Sequence, residues 1–152
     1  NPEATRPWQH VVEPLSGYLL LGAMLDRNEQ RSAVDQEWNF GPNSNDVRSV
    51  RTLVERIVAH WGGGAWEDVS RADAPKEAAT LSLNIEKAEM LLNWHPAWPF
   101  EQAVDATVRW YKAFHEEGVG VARAQTFEQI ASYEAASPVF SGTSAAKGAS
   151  AE

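Results

Sequence analysis

Hydrophobic positions along the chain predict a mostly helical fold. After Pro14, Leu15, Tyr18, Leu19 and Ala23 recur at helical spacing, and Leu20, Leu21, Met24 and Leu25 widen that stripe over most of the circumference. This predicts a helix to about Arg27 that sits centrally in a core, with the proline in the first turn where its missing N–H costs nothing. A second stripe runs through Val47, Val50, Val54, Ile57, Val58 and Trp61, capped by Asn45 or Asp46 and stopped by Gly62-Gly63-Gly64. Asn84 is placed to cap a third helix from Ile85 to Asn93, with Ile85, Ala88, Leu91 and Leu92 on its apolar side. Pro99 opens a strong fourth helix carrying Phe100, Val104, Thr107, Val108 and Tyr111 on one face. Thr126 is read as the cap of a last, weaker helix through Phe127, Ile130 and Tyr133.

The strand signals are short. Arg6 to Val12 reads as extended, Gln36 to Phe40 as a strand closed by the turn Gly41-Pro42-Asn43-Ser44-Asn45, and Trp66 to Val69 and Thr80 to Leu83 as two more. Asp26 to Asp35 and Ser70 to Ala79 read as polar loops. From Ala135 onward the chain is mainly Ala, Ser and Gly, which predicts a domain over 1–134 and a flexible tail over 135–152. The expected class is α+β, mostly helical with a few short strands. Two or three such strands are marginal by themselves, so they read as pieces that attach to a sheet elsewhere. Asn1 occupies the place of an initiating Met, which gives the expectation of a chain that begins inside a longer one.

Charge and composition narrow the chemistry. The 152 residues include 13 Lys and Arg against 21 Asp and Glu, a net charge of −8, which argues against a protein that coats nucleic acid. The count of cysteines is 0, which removes disulfides and thiolate-held metals and suits a cytoplasmic location. The longest apolar run, Tyr18 to Leu25, is far short of the ~20 residues of a bilayer span. His10, His60, His95 and His115 lie in no metal-ligand spacing, and no Gly-x-Ser-x-Gly elbow occurs. Gly62 to Gly64 and Gly118-Val119-Gly120 both follow helices, the wrong context for a phosphate cradle. Of the seven Trp residues most are expected to anchor the core, with Trp8, two residues after an arginine, the best candidate for stacking on a ligand.

The segment from Asn1 to Leu19, Asn-Pro-Glu-Ala-Thr-Arg-Pro-Trp-Gln-His-Val-Val-Glu-Pro-Leu-Ser-Gly-Tyr-Leu, resembles one in the C-terminal half of bacterial CDP-glucose 4,6-dehydratases, members of the extended short-chain dehydrogenase/reductase superfamily. Glu37-Trp38-Asn39-Phe40-Gly41-Pro42, Pro75-Lys76-Glu77-Ala78, Leu92-Asn93-Trp94-His95-Pro96 and Thr107-Val108-Arg109-Trp110-Tyr111-Lys112 follow in the same order, so that the likeness runs to about Phe114. The resemblance implies an enzyme that converts CDP-glucose to CDP-4-keto-6-deoxyglucose. In that family bound NAD oxidises C4, water leaves across C5 and C6, and the hydride returns to C6. It implies a Rossmann lobe, holding NAD and a Tyr-x-x-x-Lys pair, and a second, smaller lobe that holds the nucleotide sugar. It also implies a homodimer in the full-length enzyme.

This chain corresponds to the second lobe only. Tyr18, Tyr111 and Tyr133 lack a Lys four residues on, so the chain by itself is expected neither to bind NAD nor to turn over substrate. By the resemblance, Arg6 would clamp the diphosphate, as a guanidinium fork can. Trp8 and Gln9 would lie by the nucleotide, and Lys76 and Glu77 would line the same site. The competing reading of Arg6 is a surface partner for Glu13 or Glu3, and that of Trp8 is core packing. The sequence departs from the family over Ala79-Thr80-Leu81-Ser82-Leu83-Asn84, where His-Tyr-Leu-Lys-Leu-Asp is usual, and Lys76 stands for a His. Two other readings remain open: another nucleotide-sugar epimerase or decarboxylase on the same scaffold, and a non-catalytic binding module.

Overall fold

A computed structural model of the chain describes residues 1–27, 35–71 and 78–141. The short strand β1 (Thr5–Arg6) is followed by α1 (Val12–Asp26). A 3₁₀ turn at Ser44–Asp46 leads into β2 (Arg48–Ser49), which runs directly into α2 (Val50–Trp61). Then come α3 (Glu86–Leu92), α4 (Phe100–Glu117), α5 (Val119–Ala136) and α6 (Pro138–Ser141). The fold is therefore mostly helical with two short strands, the expected class.

The strands are not where the pattern put them. Gln36 to Phe40, Trp66 to Val69 and Thr80 to Leu83 form no strand. Instead β1 and β2 pair antiparallel, Thr5 opposite Ser49 and Arg6 opposite Arg48. On the other edge of β1 a single parallel bridge joins Thr5 to Thr80, through Thr5 N–H to Ala79 C=O (2.8 Å) and Leu81 N–H to Thr5 C=O (3.2 Å). In the first stretch the backbone carbonyls of Glu37 and Phe40 accept from side chains, Lys87 Nζ (2.9 Å) and the Gln9 amide (2.9 Å), in place of a neighbouring strand.

Pairing at β2 also moves the cap of α2 from Asn45 or Asp46 to Ser49. The Thr52 N–H donates to Ser49 Oγ (3.1 Å), the Val50 N–H to Ala4 C=O (2.9 Å) and the Arg51 N–H to Pro2 C=O (2.8 Å), so the first turn of α2 is satisfied by the strand layer. Gly62 ends α2 in the left-handed region, φ 92°, as the sequence predicts. At the start of α3 Ile85 takes the N-cap place expected for Asn84, which sits one residue earlier and accepts the Glu86 N–H at its Oδ1 (2.9 Å).

The last long helix starts at Val119, well before Thr126. Gly118 (φ 89°) closes α4 and opens α5 in one step, which lets the two helices fold back on each other. Thr126 is then mid-helix: its hydroxyl donates to Ala122 C=O (3.0 Å) and receives the Trp110 indole N–H (2.8 Å). Residues 135–141 are not loose. Ser137 is fully buried, Val139 packs against the first core and Phe140 against the second. Residues 135–141 of the expected tail are thus helical or packed, and 142–152 lie outside the described residues.

Three apolar clusters hold these elements. Phe40, Ile85, Ala88, Leu92 and Trp94 meet the inner side of α1; Trp98, Ala106 and Tyr133 join α4 to α5; Phe100, Val104 and Val108 join α4 to Trp8, Leu53 and Trp61. Gly17 is the contact point of α1 on Phe40. A Cβ there would overlap the Phe40 ring. Gly17→Ala should therefore cost about 1–3 kcal/mol of unfolding free energy, read from the urea midpoint, while Gly22→Ala, which meets open space, should not.

Candidate functional site

Arg6 lies at the end of β1, half-buried. Its Nη1 donates to Thr5 C=O (2.8 Å) and to Ala78 C=O (3.1 Å). The arginine therefore ties β1 to the segment that starts at Ala78, next to the Thr5–Thr80 bridge. Of the partners considered for it, Glu13 is engaged elsewhere, as described below, and Glu3 holds Arg51 at 2.7 Å. Lys76 and Glu77 lie outside the described residues.

Trp8 and Gln9 turn away from Arg6 toward the helices. The Trp8 indole N–H donates to Arg48 C=O (3.0 Å) and its ring packs against the Phe100 cluster, so its main role is to anchor the third core. The Gln9 amide N–H donates to Phe40 C=O (2.9 Å), which holds the 36–41 segment against the start of α1. Its Oε1 is buried and has no donor.

Two clefts open beside these residues. One, of ≈ 300 Å³, lies between α2 and α4, walled by Trp8, Leu53, Ile57, Trp61, Val104 and Val108. The other, of ≈ 610 Å³, lies between the start of α1, α4 and α5, walled by His10, Val11, Leu15, Trp110, Gln129 and Ile130. Gln9, Thr107 and Tyr111 belong to both. Arg6 lines neither. The structure brings Trp8 and Gln9 together at one cleft and puts Arg6 on the strand edge beyond it.

His10 and Glu13 support this region from beneath. The His10 Nδ1 accepts the Val12 N–H (3.3 Å), and its ring centre lies 5.0 Å from that of Trp98. An acceptor at Nδ1 fixes a neutral ring that donates from Nε2. Burial pushes its pKa below the usual histidine value, and a bond with the Gln129 side chain opposes this.

Glu13 is wholly buried and accepts from the Ala97 N–H (3.0 Å), the Trp98 N–H (2.6 Å) and the Tyr133 hydroxyl (2.7 Å). Burial pushes its pKa up, and those three bonds hold it back. Ser16 extends the network: it receives the Trp94 indole N–H (2.8 Å), donates to Glu13 C=O (2.7 Å) and lies 2.9 Å from the Tyr133 hydroxyl oxygen.

The sequence reading missed this hub and took Glu13 only as a surface partner for Arg6. The signal was available. Glu13 shares the inward row of α1 with Ser16, Gly17, Leu20 and Met24, so a charge there had to be buried and bonded.

The apolar surface is large. Leu15, Tyr18 and Leu19 form an outward stripe on α1, with Val11 just before the helix; each is about half exposed or more, and Tyr111 and Ile130 continue the stripe across the second cleft. Among the described residues no group of His, Asp and Glu could hold a metal ion, and no helix is long and apolar enough to cross a membrane. The glycine turns at Gly62 and Gly118 follow helices, and the two strands pair antiparallel, so the described residues offer no strand–loop–helix unit to cradle a dinucleotide.

Comparison with known proteins gives two relatives. The chain is 39% identical over 114 residues to the CDP-glucose 4,6-dehydratase of Salmonella typhimurium; the match covers 75% of this chain and 31% of that protein. It is 24% identical over 111 residues to UDP-glucuronic acid decarboxylase 1 of Xenopus tropicalis, covering 72% of this chain and 24% of that protein. No protein-family model matches the chain. The expected kinship with CDP-glucose 4,6-dehydratases stands on the first match, and the chain spans about a third of that relative's length.

Proposed function

We propose that this chain is the nucleotide-sugar-binding part of a CDP-glucose 4,6-dehydratase-like enzyme. The carrying observation is the match at 39% identity to a protein of that name, over three quarters of this chain. In this reading NAD and the Tyr-x-x-x-Lys pair come from a Rossmann lobe outside the matched third, because the described residues do not fit a dinucleotide. Arg6 meets the diphosphate from the β1 edge, which its bond to Ala78 C=O helps to hold in place, and Lys76 and Glu77 are proposed as further ligands of the same nucleotide sugar. The Trp8 ring and the Gln9 amide position that edge against α1 and α4. The whole enzyme is a cytoplasmic homodimer in this reading, with the dimer contact in the first lobe.

The test is titration of CDP-glucose into the chain, followed calorimetrically. The expected result is saturable binding that Arg6→Ala weakens about 10- to 100-fold, the worth of a charged hydrogen-bonded pair at roughly 1.5–3 kcal/mol. Binding unchanged in Arg6→Ala would remove the arginine from the site. The match to a UDP-glucuronic acid decarboxylase supports a second reading, a nucleotide-sugar decarboxylase or epimerase on the same scaffold. Preference for UDP-glucuronic acid over CDP-glucose in the same titration would select it.

A further inference from the structure

We infer that a third groove, between α4 and α5 beside Trp98, is a binding site for a neutral, hydroxyl-rich molecule the size of a single sugar ring. The inference stands apart from the proposed reading. Arg6, Trp8 and Gln9 do not line this groove, and three of its side chains, Gln125, Glu128 and Ser132, lie on α5, beyond the stretch that resembles the dehydratases.

The groove has a volume of ≈ 220 Å³. That is below the roughly 300–1,000 Å³ of drug-sized pockets and several times the ~30 Å³ share of one water, so it suits a ligand of about a dozen heavy atoms. Trp98 is part of its buried floor, 5% exposed, and the indole N–H is a buried donor that meets no acceptor among the described residues. Of the three clefts, Trp98 lines this one alone. A buried N–H left unmet is costly, so the groove calls for an acceptor from outside the chain. The rest of the wall sets its kind. Gln102, Gln125, Glu128 and Ser132 make no side-chain hydrogen bond among the described residues, and Arg109 is held by Asp105 at 2.9 Å on its own helix. With one guanidinium and one carboxylate on the wall, an anion meets Glu128 and a cation meets Arg109, so neither charge is favoured. Amides and a serine hydroxyl both donate and accept, as do the hydroxyls of a sugar. The groove is also braced, because the Gln129 amide on α5 donates to Ala106 C=O on α4 (2.8 Å). Finally, the Trp98 backbone N–H donates to Glu13 (2.6 Å) and its ring lies against His10 and Tyr133, so a ligand bonded to this tryptophan stabilises the junction of α1 with α5 by mass action.

The probes are D-glucose and myo-inositol, titrated into the isotope-labelled 152-residue chain. The readout is the indole N–H resonance of Trp98 in nuclear magnetic resonance spectra, assigned through its contacts with the rings of His10 and Tyr133. The expected result is a saturable shift of that resonance with dissociation constants of about 1–10 mM, the reach of a ligand of this size. The melting temperature should rise with probe concentration. Gln102→Ala and Gln125→Ala, at the rim, should each weaken the response about two- to tenfold while keeping the melting temperature of the unliganded chain. Arg6→Ala should leave the response to glucose unchanged.

A Trp98 resonance that exchanges with water and moves with neither probe overturns the proposal, since water is then its only partner. A response that persists undiminished in the double variant of Gln102→Ala with Gln125→Ala puts the sugar elsewhere and overturns it as well. Glucose 1-phosphate or glucosamine acting on the same resonance at least tenfold more tightly than glucose refutes the neutral class. Loss of the response in Arg6→Ala would merge the groove with the proposed substrate site and refute it as a site of its own. Failure of CDP-glucose to bind, with the glucose response intact, refutes the substrate reading and leaves the groove standing.

Discussion

Replacement of Glu13 by Gln is expected to destabilise the chain by about 2–3 kcal/mol, and by Ala by about 3–5 kcal/mol, measured as urea unfolding free energy. The carboxylate is met only by donors: two backbone N–H groups of the 94–99 turn and the Tyr133 hydroxyl. A glutamine keeps one acceptor and turns an N–H toward another N–H. An alanine leaves every donor orphaned in the core. Tyr133→Phe should cost less, about 1–2 kcal/mol, since the carboxylate keeps its two backbone donors.

The same substitution alters the dependence on pH. Burial raises the Glu13 pKa above its ordinary value of 4.5, so its contribution is fully present below pH 4.5 and is lost as the pH rises through the folded value. His10 has the opposite sign. Its pKa lies below the ordinary 6.5, so its contribution is present above pH 6.5 and is lost as the pH falls through the folded value. Melting temperature against pH should therefore lose its alkaline-going decline in Glu13→Gln and its acid-going decline in His10→Gln. A Glu13→Gln profile parallel to wild type would remove the carboxylate from the account.

Trp94→Ala carries the other large effect, an expected loss of about 3–5 kcal/mol. The ring is fully buried at the centre of the first core, edge-on to Phe40 at 4.9 Å, and its N–H is the donor to Ser16. Truncation empties that space and breaks the link from the turn to the Glu13 network. Trp94→Phe should recover most of the packing and none of the indole bond, and its remaining deficit, about 1–2 kcal/mol, isolates the hydrogen bond. A Trp94→Ala chain with an unchanged urea midpoint would show that α1 is held by other contacts.

The helices of this chain were legible because their signals are local. The stripe over Val50, Val54 and Ile57, the glycine after Trp61 and Asn84 act within a few residues, and the structure keeps a helix over Val50–Trp61, its end at Gly62 and a bond from the Glu86 N–H to Asn84. The strands were not legible, because a strand is defined by its neighbour. Thr5 and Arg6 become one only when Ser49 and Arg48 arrive from 44 and 42 residues away, and in Gln36 to Phe40 the Glu37 and Phe40 carbonyls are met by the Lys87 and Gln9 side chains and not by a strand. The last helix was shortened at its start because Gly118 was read as a stop, whereas its left-handed backbone both ends α4 and begins α5.

The candidate site divides in the same way. Arg6, Trp8 and Gln9 were found from a run of consecutive residues, and the structure shows each bonded to a distant carbonyl: Ala78, Arg48 and Phe40. Those bonds span 72, 40 and 31 residues, and no local pattern specifies them. What the sequence alone determined is the set of amphipathic helices, the kinship carried by the first nineteen residues and the absence of cysteine chemistry, because each depends on residue identity at short range. The tertiary structure alone decided which side of α1 would be covered. Burial is a property of the neighbours a helix receives, and a helix apolar all round carries no internal mark of the side that awaits one.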